Sequence, residues 1–281
     1  MKRNMTTILL FVVLFVGLAL LLYPSVSDFY NSFHQSRAVA TYNTVVEQES
    51  KKDYEADWAA ANDYNEKLRA QSTVDRLIMT DEEREEYDAV MNVGGSGIIG
   101  VIEIPQIAVT LPLYHSTNAN VLQVAVGHIE GTSLPTGEPG THSAFSAHRG
   151  LPSAKLFTNL DQLTYGDTFT LRVLDKVLTY EIDQILIVEP HDVSALQIYD
   201  GMDLCTLVTC TPYSVNTHRL LVRGHRIELT EEEITEETKA TEPEASTWME
   251  KYIEGIFFGF IIGGAVLVLV RALSKKVREN Q

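Results

Sequence analysis

The chain has 281 residues, a net charge of −16 and only two cysteines. Nucleic-acid binding relies on basic groups that neutralise phosphates, so this charge excludes nucleic acid as an expected partner. The two cysteines lack metal-ligand spacing and no paired-histidine helix motif occurs, so the sequence predicts neither a metal site nor a cofactor.

Two apolar runs predict membrane anchors. The first, 7–23, follows basic residues and ends at Pro24, and the second, 255–270, precedes a basic tail. Each has about 16 to 18 residues, at the short end of what spans a bilayer. Basic residues on the outer flanks only predict that both termini are cytoplasmic and that the segment between them is extracellular. The first run also fits a cleaved signal peptide.

Residues 28–92 contain no proline, and their apolar side chains recur at helical intervals. This region therefore predicts two or three helices leading away from the membrane. The glycine-rich stretch 93–97 ends the helical pattern. An acidic segment, 230–252, predicts a solvated linker to the second anchor.

Between the glycine-rich stretch and the linker, short β-rich runs alternate with turn residues, which is typical of a closed barrel or sandwich. The predicted strands are 98–104, 109–114, 141–147, 168–173, 178–188, 204–210 and 220–229, and short helices are predicted at 118–126, 153–160 and 193–199. The predicted organisation is an anchor or signal at 1–27, a helical lead-in at 28–92, a β-barrel at 93–229, the linker at 230–252 and an anchor with a basic tail at 253–281.

Cys210 ends one of these strands and is followed by several basic residues, a setting that favours a reactive thiolate. Cys205 lies in the same strand, about 16 Å away at strand rise. A disulfide requires Cα atoms within about 7 Å. The two thiols therefore cannot pair in an intact strand, and their opposite parity predicts a buried Cys205 and a free Cys210.

The run Thr206-Leu-Val-Thr-Cys210, with Arg219 nine residues later, and the block Ser146-Ala-His148-Arg-Gly-Leu-Pro-Ser-Ala-Lys-Leu-Phe157 together resemble the sortases of Gram-positive bacteria. The helical lead-in and the two anchors are similar to the pilus-assembling class C branch. The resemblance covers about 97–229 and implies an eight-stranded β-barrel with short helices, preceded by an α-helical region and flanked by two transmembrane helices.

The resemblance implies that Cys210 is the nucleophile, His148 the acid/base partner and Arg219 the cation at the oxyanion. The implied reaction cleaves a Leu-Pro-x-Thr-Gly-like sorting signal between Thr and Gly through a thioester. The implied acceptor is a lysine of another pilin subunit, so the expected partners are pilins or surface proteins with such signals, and the membrane.

Elementary chemistry agrees with these roles. Histidine has a pKa near the working pH of a general acid, and arginine stays charged and offers several donors. Thr209 is a further candidate for shaping the substrate pocket, and His142, of the same parity as His148, is the reserve histidine. Arg223 and Arg226 are expected to be solvated strand charges.

Many pilus-type sortases carry a lid with an Asp-Pro-aromatic triplet, and 28–92 contains none. Either a different lid is built around 79–91, with Tyr87 and Asp88, or the site is open. The open site is favoured.

Other functions fit less well. A papain-type protease places its cysteine before its histidine, the reverse of the order here, and the stretch around Ser96 lacks the closing glycine of a nucleophile elbow. Anchoring of surface proteins to the cell wall remains an alternative to pilus assembly. A non-catalytic adhesion or scaffold module is disfavoured by the presence of Cys210, His148 and Arg219.

Overall fold

The computed structural model describes residues 2–49, 54–228 and Gly263. Eight strands form a closed barrel. In chain order they are β1 (Ile98–Ile104), β2 (Val109–Tyr114), β3 (Val126–His128), β4 (Thr141–Ser146), β5 (Thr168–Val173), β6 (Lys176–Val188), β7 (Asp203–Thr211) and β8 (His218–Ile227). Around the barrel they run β1-β2-β3-β4-β7-β8-β6-β5, so the predicted eight-stranded barrel is confirmed.

The pairs β2–β3 and β4–β7 are parallel, and the other neighbours are antiparallel. The seven predicted strands lie within two residues of observed ones. Strand β3 was missed, because three residues are too few to show an alternating pattern. The helix predicted at 118–126 is only the four-residue α5 (Ala119–Leu122) before β3.

Two other predicted short helices are wrong in extent. The segment 153–160 is a loop that ends in the 3₁₀ turn Leu160–Gln162, and 193–199 contains only the 3₁₀ turn Ser194–Leu196. Leu196 is buried against the outer face of the barrel with Val208 and Leu221. This cover explains why β7 is buried on almost every residue and reads as a nearly continuous apolar run.

The helices of the lead-in are α1 (Lys2–Glu49), α2 (Glu55–Arg69), α3 (Thr73–Arg76) and α4 (Asp81–Ala89). The first apolar run and the start of the lead-in form one helix, which continues through Pro24 instead of ending there. Proline lacks a backbone N–H, so this continuation costs one helical hydrogen bond.

Within the described residues, α1 is the one helix long and apolar enough to cross a membrane. The prediction of two transmembrane helices is therefore not confirmed. The linker predicted at 230–252 lies outside the described residues, as does the anchor predicted at 253–281 apart from Gly263.

Two aromatic side chains attach the lead-in to the tight turn between β5 and β6. The Tyr42 hydroxyl donates to the carbonyl of Ile99 (2.9 Å) and accepts from the amide of Leu174 (2.9 Å). The indole N–H of Trp58 donates to Asp175 (2.8 Å). Helices α1 and α2 therefore each contact this end of the barrel through a specific hydrogen bond.

His128 is fully buried among the aromatic rings that join α4 to the barrel. Its Nε2 lies 2.9 Å from the carbonyl of Ser133, and its Nδ1 lies 2.9 Å from the hydroxyl of Tyr87. A carbonyl can only accept, so Nε2 carries the proton and Nδ1 accepts from Tyr87. Burial lowers the pKa of His128 to about 3, which keeps the ring neutral in the folded protein.

This burial predicts acid sensitivity. A histidine whose folded pKa lies below its unfolded value of 6.5 stabilises the fold fully above pH 6.5 and loses that contribution as the pH falls toward about 3. Its share of the slope is about 1.4 kcal/mol per pH unit. In His128→Gln, the free energy of unfolding should fall by about 2 kcal/mol less than in wild type between pH 7.5 and 5.0, which is an average of about 0.6 proton. Urea denaturation at both pH values measures this, and equal slopes for wild type and variant would contradict it.

Two other buried groups also titrate in this range. Burial lowers the pKa of His142 to about 4 and raises that of Asp203 to about 6. The Asp203 contribution has the opposite sign: it is complete below the unfolded value of 3.8 and is lost as the pH rises through about 6. Wild type and His128→Gln both contain His142 and Asp203. The difference between their pH dependences of unfolding free energy therefore reports on His128 alone.

Candidate active site

The register between β7 and β8 places Cys210 directly opposite Arg219. The two residues are nine apart in sequence, but the turn between the strands folds them back as cross-strand neighbours. Directly paired residues of an antiparallel ladder have Cβ atoms about 4.5–5.5 Å apart. Both side chains are half-buried, so the pair is accessible from solvent.

The end of β4 brings His148 to the other side of Cys210. The last strand pair is Ser146 with Val208, in parallel register. Two hydrogen bonds extend this register: the Ala147 amide donates to Val208 (3.2 Å), and the Thr209 hydroxyl donates to the Ala147 carbonyl (2.8 Å). His148, one residue further, comes level with Cys210.

Arg149 holds the chain on the far side of His148. Its guanidinium donates to the Thr211 hydroxyl (3.1 Å) and to the Thr158 carbonyl (3.2 Å), and forms an ion pair with Asp161. His148 is thus bracketed by a contact to β7 at the residue before it and another at the residue after it.

The side chains of Cys210 and Arg219 lie on the outer face of the barrel. Successive side chains of a strand point to opposite faces. Cys205 and Leu207 belong to the main interior cluster, whereas Val208 and Leu221 belong to a separate outer cluster. Cys210 shares the parity of Val208, and Arg219 that of Leu221, so both face outward. We call the three residues that the sequence predicts to be catalytic, His148, Cys210 and Arg219, the catalytic row.

An apolar surface lies next to the catalytic row. Its buried members come from β4, β7, β8 and the segment before β7, and its half-buried members from β6 and the loops: Ala144, Leu196, Val208, Leu221, Ile129, Leu186, Val188 and Ala195. Leu196 covers Val208 and Leu221, so the half-buried members, among them Val188 opposite Arg219, are the ones that a ligand can contact.

Arg219 differs from its neighbours on β8 in its charge environment. Its Nη1 donates to the carbonyls of His218 (3.1 Å) and Asn216 (3.4 Å), and no carboxylate within the described ranges 2–49 and 54–228 lies in ion-pair distance of it. Arg223 instead makes two hydrogen bonds to Asp183 (2.9 and 3.0 Å). The prediction that Arg223 is merely solvated is therefore wrong.

Arg226 is also engaged rather than solvated. Its guanidinium donates to the carbonyl of Ile227 (2.6 Å) and lies 3.9 Å from the carboxylate of Asp203. Of these three arginines, Arg219 is therefore the one whose guanidinium is best placed to bind an anion.

Thr209 has a different contact from the one predicted. Its side chain is buried, and its hydroxyl donates to Ala147. It therefore lies on the opposite face from Cys210 and joins two strands instead of lining a substrate pocket. This bond fixes the residue that precedes His148.

The reserve histidine is held inside the structure. Nδ1 of His142 donates to the carbonyl of Gln197 (2.8 Å), and Nε2 lies 2.8 Å from the Thr206 hydroxyl. Burial lowers the pKa of His142 to about 4. With both ring nitrogens occupied and the ring neutral, His142 is a structural residue.

The two cysteines are free and differ as predicted. Cys205 is fully buried, and burial raises the pKa of its thiol well above the ordinary value. Cys210 is half-buried. A thiol that is buried in apolar surroundings is inert, so Cys210 is the candidate nucleophile.

Tyr87 does not act as the lid residue considered from the sequence. It is fully buried, its hydroxyl bonds to His128 and accepts from the amide of Ser116 (3.1 Å), and its ring packs edge-on to His115. These contacts fix the middle of 79–91 to β2 and β3, away from the catalytic row on β4, β7 and β8.

In the part of the chain that the structure describes, no three histidine, cysteine, aspartate or glutamate side chains are grouped as metal ligands.

Comparison with known proteins shows which family this chain belongs to. The sortase domain model matches residues 102–227. A crystal structure of sortase C1 from Streptococcus agalactiae is 45% identical, with a TM-score of 0.65, and the match covers 69% of this chain and 100% of that one. The chain belongs to the sortase family.

Other matches indicate the branch. Sortase C from Streptococcus pneumoniae, described for catalysis and pilin substrate specificity, is 42% identical with a TM-score of 0.62, over 69% of this chain and 98% of that one. Sortase C-1 from Actinomyces oris is 40% identical with a TM-score of 0.58, over 63% of this chain and 100% of that one. These three solved neighbours are sortases of class C, as the resemblance predicted.

Two curated relatives belong to other branches. Sortase D of Bacillus subtilis is 29% identical over 46% of this chain and 63% of its own length. Sortase A of Streptococcus agalactiae is 30% identical over 45% of this chain and 52% of its own length. The matches span less than two thirds of these relatives.

Sequence reasoning missed Arg149 as part of this sortase site. Its position next to His148 in the histidine block was the available signal. Its contacts to Thr211 and Asp161, 62 and 12 residues away, depend on the parallel β4–β7 pairing and could not be inferred from spacing.

Proposed function

We propose that this sortase is a membrane-anchored cysteine transpeptidase that joins pilin subunits. It cleaves a Leu-Pro-x-Thr-Gly-like sorting signal between Thr and Gly and transfers the threonine carbonyl to a lysine amine of another pilin. The main support is the catalytic row: a half-buried cysteine between a histidine and an arginine without a carboxylate partner in the described ranges.

The first half-reaction forms a thioester. The thiolate of Cys210 attacks the threonine carbonyl, and the guanidinium of Arg219 donates to the oxygen as it becomes negative. When the tetrahedral intermediate collapses, the C–N bond breaks and the imidazolium of His148 gives its proton to the glycine amine. A preorganised donor at the oxyanion contributes about 3–4 kcal/mol to such a step.

The second half-reaction reverses these roles. The lysine amine attacks the thioester carbonyl and loses a proton to the imidazole of His148. The C–S bond then breaks, an isopeptide bond remains, and Cys210 leaves as the thiolate. The enzyme returns to its starting protonation state without a cofactor.

The outer apolar cluster supports a peptide substrate with aliphatic residues before the threonine. Val188, which is half-buried, lies directly opposite Arg219 on β6, and the half-buried Leu186 lies one outward position further along that strand. A peptide that places its threonine carbonyl at Cys210 can lay its Leu-Pro side chains over this surface. Burial of apolar area contributes about 25 cal/mol per Å².

The apolar part of α1 supports membrane anchoring, with the barrel outside the cell. Basic residues before the apolar run favour a cytoplasmic N-terminus. The second anchor and its basic tail remain proposals based on sequence, with the C-terminus also cytoplasmic. Retention of α1 is favoured over cleavage because one helix runs without a break from the apolar run through Ser25 and Ser27 to Glu49.

Attachment of surface proteins to the cell wall is the second candidate. The class C neighbours, one of them described for pilin substrate specificity, favour pilus assembly. Both use the same acyl-enzyme and differ only in the amine that attacks it. An assay that offers a pilin lysine and a wall-peptide amine in competition separates them.

The nucleophile can be tested by removing each thiol in turn. Cys210→Ala should abolish covalent multimers of a pilin that carries both a sorting signal and an acceptor lysine, because no thioester can form. Cys205→Ala is the matched control, because it makes the same substitution at a buried cysteine. It should leave the polymerisation rate within about twofold, since a buried thiol cannot contact the substrate. Denaturing gel electrophoresis of the products measures both. Multimers formed by Cys210→Ala would contradict the proposal.

Arg219 can be tested against a second arginine of the same face. Arg219→Lys keeps the charge but loses the planar fork of donors, and should lower kcat/KM for a sorting-signal peptide by about 100-fold or more. Arg223→Lys should change kcat/KM by only a few-fold, because Arg223 is paired with Asp183 two positions further along the outer face. Comparable losses in the two variants would remove Arg219 from the site.

A further inference from the structure

The turn of α1 that follows the apolar run contacts the loop after His148. The carboxylate of Asp28 accepts a hydrogen bond from the amide of Lys155 (3.0 Å). The side-chain amide of Asn31 donates to the carbonyl of Ser153 (2.8 Å). Residues three apart lie on one face of a helix. One face of α1 therefore holds a loop more than 120 residues away in sequence.

The far end of that loop returns to His148 and is hydrogen-bonded to its backbone. The amide of Phe157 donates to the carbonyl of His148 (3.2 Å), and Leu151 forms an isolated bridge with Ala154. Phe157 is fully buried, which fixes the returning end of the loop. Ser153 and Lys155 lie between these two ends. A displacement at the α1 contact is therefore transmitted to the backbone of His148 through a short, closed segment.

A cavity of about 570 Å³ lies between this part of α1, β1, β2 and the segment after α5. It is lined on the α1 side by Tyr30, Asn31, His34, Gln35, Arg37, Ala38 and Thr41. Across it, the amide of Gln35 donates to the carbonyl of Val124 (2.8 Å). This contact reaches the segment before β3 and not the loop that follows His148, so it is a reference for the contacts of Asp28 and Asn31.

We propose that Asp28 and Asn31 are positioning residues for the acid/base histidine. By docking on Ser153 and Lys155, the juxtamembrane turn of α1 holds the His148 loop in the geometry needed for proton transfer. A displacement of about 1 Å at a catalytic group can cost about 100-fold in rate. Acyl transfer then depends on the docked anchor helix, although α1 supplies no group to the chemistry.

The docking also sets the height of the site above the membrane. Asp28 follows the end of the apolar run at Tyr23 by five residues, which is about 8 Å of helix. The loop tip at 153–155 therefore lies near the membrane surface. A sorting signal attached to its own membrane segment would meet His148 and Cys210 at that level.

Isosteric exchanges on α1 test the proposal in the full chain, reconstituted in nanodiscs. Asn31→Asp replaces the donor to Ser153 with an acceptor and should lower kcat for a sorting-signal peptide about tenfold, with KM within twofold. Gln35→Glu makes the same change at Val124, one turn along the helix, and should leave kcat within twofold. Asp28→Ala should resemble Asn31→Asp, whereas Asp28→Asn keeps an acceptor for Lys155 and should restore kcat.

A second readout does not need activity, which matters because the kinetic test rests on the proposed function. Hydrogen exchange of the Lys155 and Phe157 amides should be faster in Asn31→Asp than in wild type and unchanged in Gln35→Glu. Equal exchange and equal kcat in Asn31→Asp and Gln35→Glu would overturn the inference. A wild-type enzyme that forms no thioester would instead overturn the proposed function, and the exchange data would still decide whether α1 holds the loop.

Discussion

The parallel pairing of β4 with β7 is the constraint on which the site depends. It sets the residue after Ala147 level with Cys210, and the antiparallel β7–β8 ladder sets Arg219 on the other side. Cys210 and Arg219 therefore face each other on neighbouring strands, and His148, 62 residues before Cys210 in sequence, follows the end of β4 at the level of Cys210. A shift of one residue in either pairing would move one side chain to the barrel interior, because faces alternate along a strand.

The same register explains why the supporting residues matter. Thr209 and Arg149 fasten the backbone on either side of His148 to β7, and the buried His142 fastens the start of β4 to the segment around Gln197. These groups make no contact with the proposed reacting atoms. They fix the backbone position of His148. A general acid or base must lie within hydrogen-bond reach of the proton that it transfers, so this position matters for the proposed reaction.

Much of this could be predicted from the sequence, and the exceptions have physical reasons. The longer strands of the barrel show the expected alternation, and the motifs around Cys210 and His148 identify the catalytic row. Strand β3 was missed because three residues carry no period. The roles of Thr209, Arg149, Asp28 and Asn31 depend on contacts between distant segments, and local spacing contains no information about those. Tyr87 was considered for a lid because it is aromatic, but a buried histidine 41 residues away holds its hydroxyl.

The central claim is that acyl transfer passes through Cys210. The most direct measurement is mass spectrometry of the protein quenched in acid during turnover of a sorting-signal peptide, followed by proteolysis and sequencing of the modified peptide. The account predicts a mass increase equal to the peptide fragment ending in threonine, carried on Cys210 and removed by hydroxylamine, with Cys205 unmodified. Cleavage of the peptide without an adduct, or an adduct on Cys205, would contradict it.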